Sequence, residues 1–136
     1  MTEQTALSTV DYKNYKSLIS RLTEEKMVIN VSKGDLRRLL QTCFSQLFVT
    51  ASAETPLRAA KAALSKLSRV PVGSYVIAVV ESPSESTLAE TENVLCNIAD
   101  TLKCDNIETA FAFSEDNSCR VSLIVFLFES VSERNN

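Results

Sequence analysis

Residues Ser74 to Val80 read S-Y-V-I-A-V-V, a nearly continuous run of apolar β-formers. A strand with no polar side must be covered on both faces, so this run belongs in the middle of a sheet. A second run, Arg120 to Phe128, sets Val121, Leu123, Val125 and Leu127 on one side and Ser122, Ile124, Phe126 and Phe128 on the other. Both sides are mostly apolar, so this strand is also interior. Two such strands in 136 residues require helices packed on at least one sheet face, and on both if neither strand is to show apolar surface to water.

The helices are legible from spacing and caps. Tyr15, Leu18, Ile19 and Leu22 form one apolar stripe in a first helix, Asp11 to Lys26, which packs on one side only. After Met27-Val28-Ile29, Ser32 is an N-cap with Asp35 in the first turn, opening a second helix from Lys33 to Phe44. Its buried face is Leu36, Leu39, Leu40 and Cys43. Phe44 to Ala51 reads as strand. Thr55-Pro56 starts a third helix that runs to Leu67, with Leu57, Ala60, Leu64 and Leu67 in phase. Ser82 to Ser86 is a loop. Thr87 with Glu90 forms a capping box for a fourth helix to Lys103, whose inner face is Leu88, Thr91, Leu95, Ile98 and Leu102. Ile107 to Phe113 and Arg120 to Phe128 are strands joined by a hairpin-like turn at Ser114 to Ser118. The reading is α/β, a four-stranded mixed sheet flanked by helices in the order α-α-β-α-β-α-β-β. A single domain spans 10–130, with flexible tails at 1–9 and 131–136.

Composition narrows the chemistry. There is no His, which removes the commonest general base and metal ligand. Two glycines are too few for a Gly-rich phosphate cradle. Net charge is -3, and the densest basic cluster, Arg37 with Arg38, is too small for a nucleic-acid footprint. The four cysteines, Cys43, Cys96, Cys104 and Cys119, form no C-x-x-C motif. With a polar start and no apolar run near membrane-span length, they imply a cytoplasmic protein with free thiols, most of them buried. No cofactor or metal is expected. Glu81, Glu85, Glu90 and Glu92 cluster near a strand end and helix start, which fits either an acidic acceptor for a partner or ordinary helix-start chemistry. Cys96 and Cys104 read as core packing.

Three stretches carry a resemblance. Met27-Val28-Ile29-Asn30-Val31-Ser32-Lys33-Gly34-Asp35-Leu36-Arg37 resembles the G-L-I-N-x-D-F-A-D-V-R loop of the tubulin-like division protein family FtsZ. T-P-L-R-A-A-K-A-A-L-S-K-L, Thr55 to Leu67, resembles that family's E-x-R-A-x-x-A-A-x-x-A-I helix. Arg58, Ala59, Ala62 and Ala63 match, Leu67 stands for the isoleucine, and Pro56 replaces the Glu. Tyr75 to Val80, the loop and helix that follow, and Arg120-Val121-Ser122-Leu123-Ile124-Val125 resemble the family's strand, loop, helix and R-V-T-V-I-A strand. The resemblance covers residues 11–128 and is to the end of the central helix, the loop after it and the C-terminal domain. No segment resembles the family's GTPase domain or its C-terminal tether-binding peptide.

In that family GTP sits on one subunit, and the next subunit inserts this loop so that its acidic residues orient the attacking water. Here Asn30 and Asp35 match, while Ser32 replaces one aspartate and Met27 the leading glycine. The resemblance therefore implies a chain with no catalytic residues of its own, at most contributing Asp35 in trans to another protein's nucleotide. Asp35 also fits simple first-turn helix chemistry. The implied interaction loop is Asn30, Ser32, Asp35, Arg37 and Arg38, and the implied partner is FtsZ or another tubulin-like protein, with the chain capping a filament end. Two other readings stand beside it. One is a homo-oligomeric scaffold that reuses the fold. The other is a small enzyme with an unfamiliar site at a subunit interface, which a deep pocket containing Asp35, Arg37 or Glu81 with a bound ligand would favour. Neither nucleic acid nor membrane is an expected partner.

Overall fold

The computed structural model describes residues 15–20, 32–67, 70, 73–83, 88–104, 106–114 and 118–128. Residues 15–20 are helical (α1). Then follow α2 Lys33–Thr42, β1 Ser45–Ala53, α3 Pro56–Leu64, β2 Tyr75–Ser82, α4 Leu88–Leu102, β3 Ile107–Phe113 and β4 Cys119–Leu127. The expected α/β order holds. Both expected tails, most of the first helix and Thr87 of the capping box lie outside the described residues.

The four strands form one mixed sheet in the order β1-β4-β2-β3. β4 runs antiparallel to both neighbours, pairing Ser45 with Leu127 on one side and Tyr75 with Phe126 on the other. β2 and β3 are parallel, Val76 beside Ile107. The two apolar strands therefore take the two interior positions, as their patterns require. The hairpin expected between β3 and β4 does not exist, because β2 lies between them. Strand order follows the need to cover two-sided apolar strands, which overrides a turn-like connecting segment.

Each face of the sheet has its own core. On one face α3 and α4 cover Val76, Ala78, Val80, Val121, Leu123 and Val125. Ala59, Ala60 and Ala63 of α3 are fully buried there, and their lack of bulk lets the helix lie close to β1 and β4. α3 is capped as its sequence predicts: the Thr55 hydroxyl accepts from the Arg58 N–H at 3.2 Å, and Pro56 follows at the first helical position. On the other face α1 and α2 supply Leu18, Leu36 and Leu39, which pack on Ile77, Val79, Ile124 and Phe126. Tyr15 meets Phe48 edge to face, with ring centroids 5.7 Å apart.

Several expectations need correction. α2 ends at Thr42, and Phe44 is exposed rather than helical. On α4, Val94 joins Thr91 and Ile98 as fully buried, while Leu95 and Leu102 are only half-buried. Val94 and Ile98 share the core with α3, and Leu95 and Leu102 pack at its margin. Ser82 is not a loop residue: it closes β2, is fully buried, and its carbonyl accepts from the Ser114 N–H at 2.8 Å. Only Cys119 of the four thiols is buried; Cys96 is exposed on the outer side of α4 and the other two are half-buried. Core packing therefore does not account for Cys96.

Candidate functional site

The start of α2 is built by its cap. Ser32 holds an extended backbone, φ -62° and ψ 135°, so its side chain turns back over the first turn. Its hydroxyl accepts from the Asp35 N–H at 3.4 Å, and its carbonyl accepts from the Leu36 N–H at 2.9 Å. These contacts satisfy helix donors that would otherwise lack partners. They also fix Asp35 in the first turn, where the helix dipole favours a carboxylate. Leu36 and Leu39 anchor the helix to the sheet, which leaves Arg37 and Arg38 on the exposed side.

Asp35 Oδ1 lies 3.5 Å from an Arg38 guanidinium nitrogen. Both side chains are largely in water, so the pair contributes only about 0–1 kcal/mol. Its value is in placing a carboxylate and a guanidinium side by side at the helix entrance. Of the expected interaction loop, Ser32, Asp35 and Arg38 are therefore linked through one helix turn. Arg37 lies beside them in sequence and is exposed. Asn30 lies outside the described residues.

One residue of the sheet, Tyr75, lies within electrostatic range of this turn and is tied to a second, Glu108. The Tyr75 hydroxyl, at the start of β2, donates to Glu108 Oε1 of β3 at 2.8 Å. Burial raises the Tyr75 pKa to about 12, helped by the hydrogen bond to Glu108 and the negative charges of Glu108 and Asp35; Arg38 opposes them. The phenol therefore remains a proton donor throughout the neutral range, and it lies within electrostatic reach of the α2 entrance. Sequence reasoning missed both residues. The available signal was a lone carboxylate, Glu108, in the otherwise uncharged strand I-E-T-A-F-A-F, and a lone phenol opening an aliphatic strand.

The opposite end of the same sheet face holds a second polar region. An open pocket of about 220 Å³ is lined by Thr50, Ser52, Lys66, Glu81, Arg120 and Ser122, with Leu18 and Phe48 toward the helices. Thr50 and Ser122 share a hydroxyl hydrogen bond at 3.0 Å, and Arg120 Nε donates to Ser52 Oγ at 3.5 Å. Neither Asp35 nor Arg37 lines it. Tyr75 and Glu81 are six residues apart on one strand, roughly 20 Å. Of Asp35, Arg37 and Glu81, Glu81 alone lines this pocket. Of the acidic residues near the end of β2 and the start of α4, Glu81 lines this pocket, Glu90 and Glu92 are exposed on α4, and Glu85 lies outside the described residues. Among the described residues no group of three or more His, Cys, Asp or Glu could hold a metal ion. No described helix is long and apolar enough to cross a membrane.

Comparison with known proteins places the fold. No protein-family model and no curated protein matches the sequence. Solved structures do. An FtsZ W319Y mutant from M. jannaschii superposes with a TM-score of 0.68 at 18% identity, covering 95% of this chain and 43% of that one. An FtsZ dimer from M. jannaschii gives 0.66 at 18%, covering 95% and 41%. CetZ from Methanosaeta thermophila gives 0.56 at 13%, covering 93% and 38%. The chain thus has the fold of the C-terminal part of tubulin-like proteins and spans under half the length of the structures it matches.

Proposed function

We propose that this chain is a non-enzymatic, tubulin-like interaction protein that docks on a tubulin-like filament through the entrance of α2. The observation that carries the reading is the fold likeness, which extends over nearly the whole of this chain and less than half of the FtsZ chains. The second support is the α2 entrance itself, where a capped helix start presents Asp35 and Arg38 beside Arg37. In the resemblance described above, this loop-and-helix entrance is what one subunit offers to the nucleotide face of the next.

Filament growth of this kind is heterologous: each unit must carry both complementary patches. The 136 residues carry the loop-bearing patch and no Gly-rich phosphate cradle. Docked at a filament end through the α2 entrance, this fold fills one of those two contacts. On this reading its role there is that of an end cap. Asp35 would face the neighbour's nucleotide, with Arg38 partly neutralising it.

The test is co-sedimentation and GTP turnover with a tubulin-like GTPase from the same organism, with the chain added at substoichiometric amounts. Shorter polymers and a changed turnover rate are expected, and Arg37→Glu abolishes both effects without loss of helix content. No binding and no change in polymer length refute the proposal.

A further inference from the structure

The two edges of the sheet are not alike. At the β1 edge, the Lys66 ammonium donates to the Thr50 carbonyl at 2.6 Å. A lysine seated on an edge strand is one of the ordinary guards against strand addition. β3, at the other edge, has the sequence I-E-T-A-F-A-F, with no Lys, Pro or Gly. Its backbone polarity can be read directly. Asn106 O accepts from Val76 N at 2.9 Å, and Ser114 N donates to Ser82 O at 2.8 Å. Backbone groups alternate sides along a strand, so even-numbered residues from 106 to 114 face β2. Ile107, Thr109, Phe111 and Phe113 aim their N–H and C=O groups outward, where no described strand pairs with them.

This edge is self-complementary in one register. An antiparallel two-fold centred on Ala110 pairs Ile107 with Phe113 of a second copy, and Thr109 with Phe111 of that copy. All four outward residues then exchange both hydrogen bonds with their opposites. A shift of the centre by one residue leaves Ile107 or Phe113 unpaired. A centre on Glu108 loses more and sets two carboxylates face to face. Centred on Ala110, Glu108 lies opposite Ala112, and like charges stay apart. The same register covers an apolar surface that the single chain leaves open. Phe113 is 49% exposed and meets the edge ring of Phe111 at 5.4 Å. The pairing sets it against Ile107, an aromatic with a β-branched residue, which is a favourable cross-strand combination.

We infer that β3 is a homodimerisation edge, at which two copies join antiparallel about Ala110 to make one continuous eight-stranded sheet. The occupant is a second copy of this chain, because the strand's donors, acceptors and side chains complement themselves in that register. The inference does not rest on the filament reading; a monomer that caps filaments would refute it and leave that reading intact.

The experiment is sedimentation equilibrium of the full chain over a wide concentration range, with Thr109→Pro as the variant. Thr109→Pro deletes only an outward N–H, so the β2–β3 ladder is untouched. Wild type is expected at twice 15.0 kDa at high concentration. Thr109→Pro loses one bond from each copy, so it dissociates about tenfold to a hundredfold more readily while its circular dichroism stays unchanged. Hydrogen exchange on wild type gives a reading that does not depend on the variant folding: the Thr109 and Phe111 amides are protected at high concentration and exchange freely on dilution. A monomeric wild type, a folded Thr109→Pro that dimerises equally well, or concentration-independent exchange at those amides overturns the inference.

Discussion

Phe126 is the side chain whose removal tests the packing most severely. It is fully buried on the α1/α2 face of β4, between Gln46 of β1 and Tyr75 of β2, and belongs to the core beneath Leu36 and Leu39. A buried aromatic removes roughly 150–200 Å² from water, about 4–5 kcal/mol at 25 cal/mol/Å². The methyl kept by alanine and residual burial in the unfolded chain return part of this, and the cavity left behind adds to the loss. Phe126→Ala should therefore cost about 3–5 kcal/mol, a large share of the roughly 5–15 kcal/mol that holds a domain together. Urea unfolding followed by circular dichroism measures it. With a denaturant slope of about 1–3 kcal/mol/M, the midpoint falls by at least about 1 M. Phe44→Ala is the control, since Phe44 is 63% exposed and should stay within about 0.5 kcal/mol of wild type. A Phe126→Ala cost below about 1 kcal/mol, or one equal to the control, would refute a second core under α1 and α2.

Other expectations follow from the same structure. Ser32→Ala removes the α2 cap and should cost about 1 kcal/mol in urea unfolding, whereas Ser32→Gly should cost only a few tenths. Tyr75 titrates near 12 against an ordinary value of 10.0. The folded state therefore binds its proton more tightly, so the stabilisation is intact below pH 10 and is lost as pH rises toward 12. Tyr75→Phe should flatten the stability profile in that window and remove a phenol titrating near 12 from the ultraviolet titration. A thiol reagent monitored by mass spectrometry should modify exposed Cys96 first and Cys119 last, since burial and the nearby Glu90 charge raise the Cys119 thiol pKa.

Much of the fold was legible because its strongest signals are physical demands rather than propensities. Tyr75 to Val80 and Val121 to Leu127 have no side that tolerates water, and they occupy the two interior positions. Thr55-Pro56 marked a helix start with a donor-satisfying hydroxyl and a residue without an N–H, and α3 begins there. The hairpin between β3 and β4 failed because a turn-like segment says only that the chain bends, not which strand it returns to. Val94 was missed because Leu95 and Leu102 are bulkier in the sequence, yet the line of approach of α3 decides which stripe is covered. At the α2 entrance, Ser32 and Asp35 were visible through local helix chemistry. The Tyr75–Glu108 pair was not, since it is made by pairing between strands distant in sequence.

Docking of the α2 entrance at one end of a tubulin-like filament is the step on which the proposed function depends. Imaging single filaments assembled from the organism's tubulin-like GTPase tests it most directly, with the chain carrying a fluorophore on Cys96, an exposed thiol on α4. Signal is expected at one end of each filament, with shorter filaments as the chain is added, and both effects are lost in Arg37→Glu. Signal spread along the filament length, or no association, would contradict it.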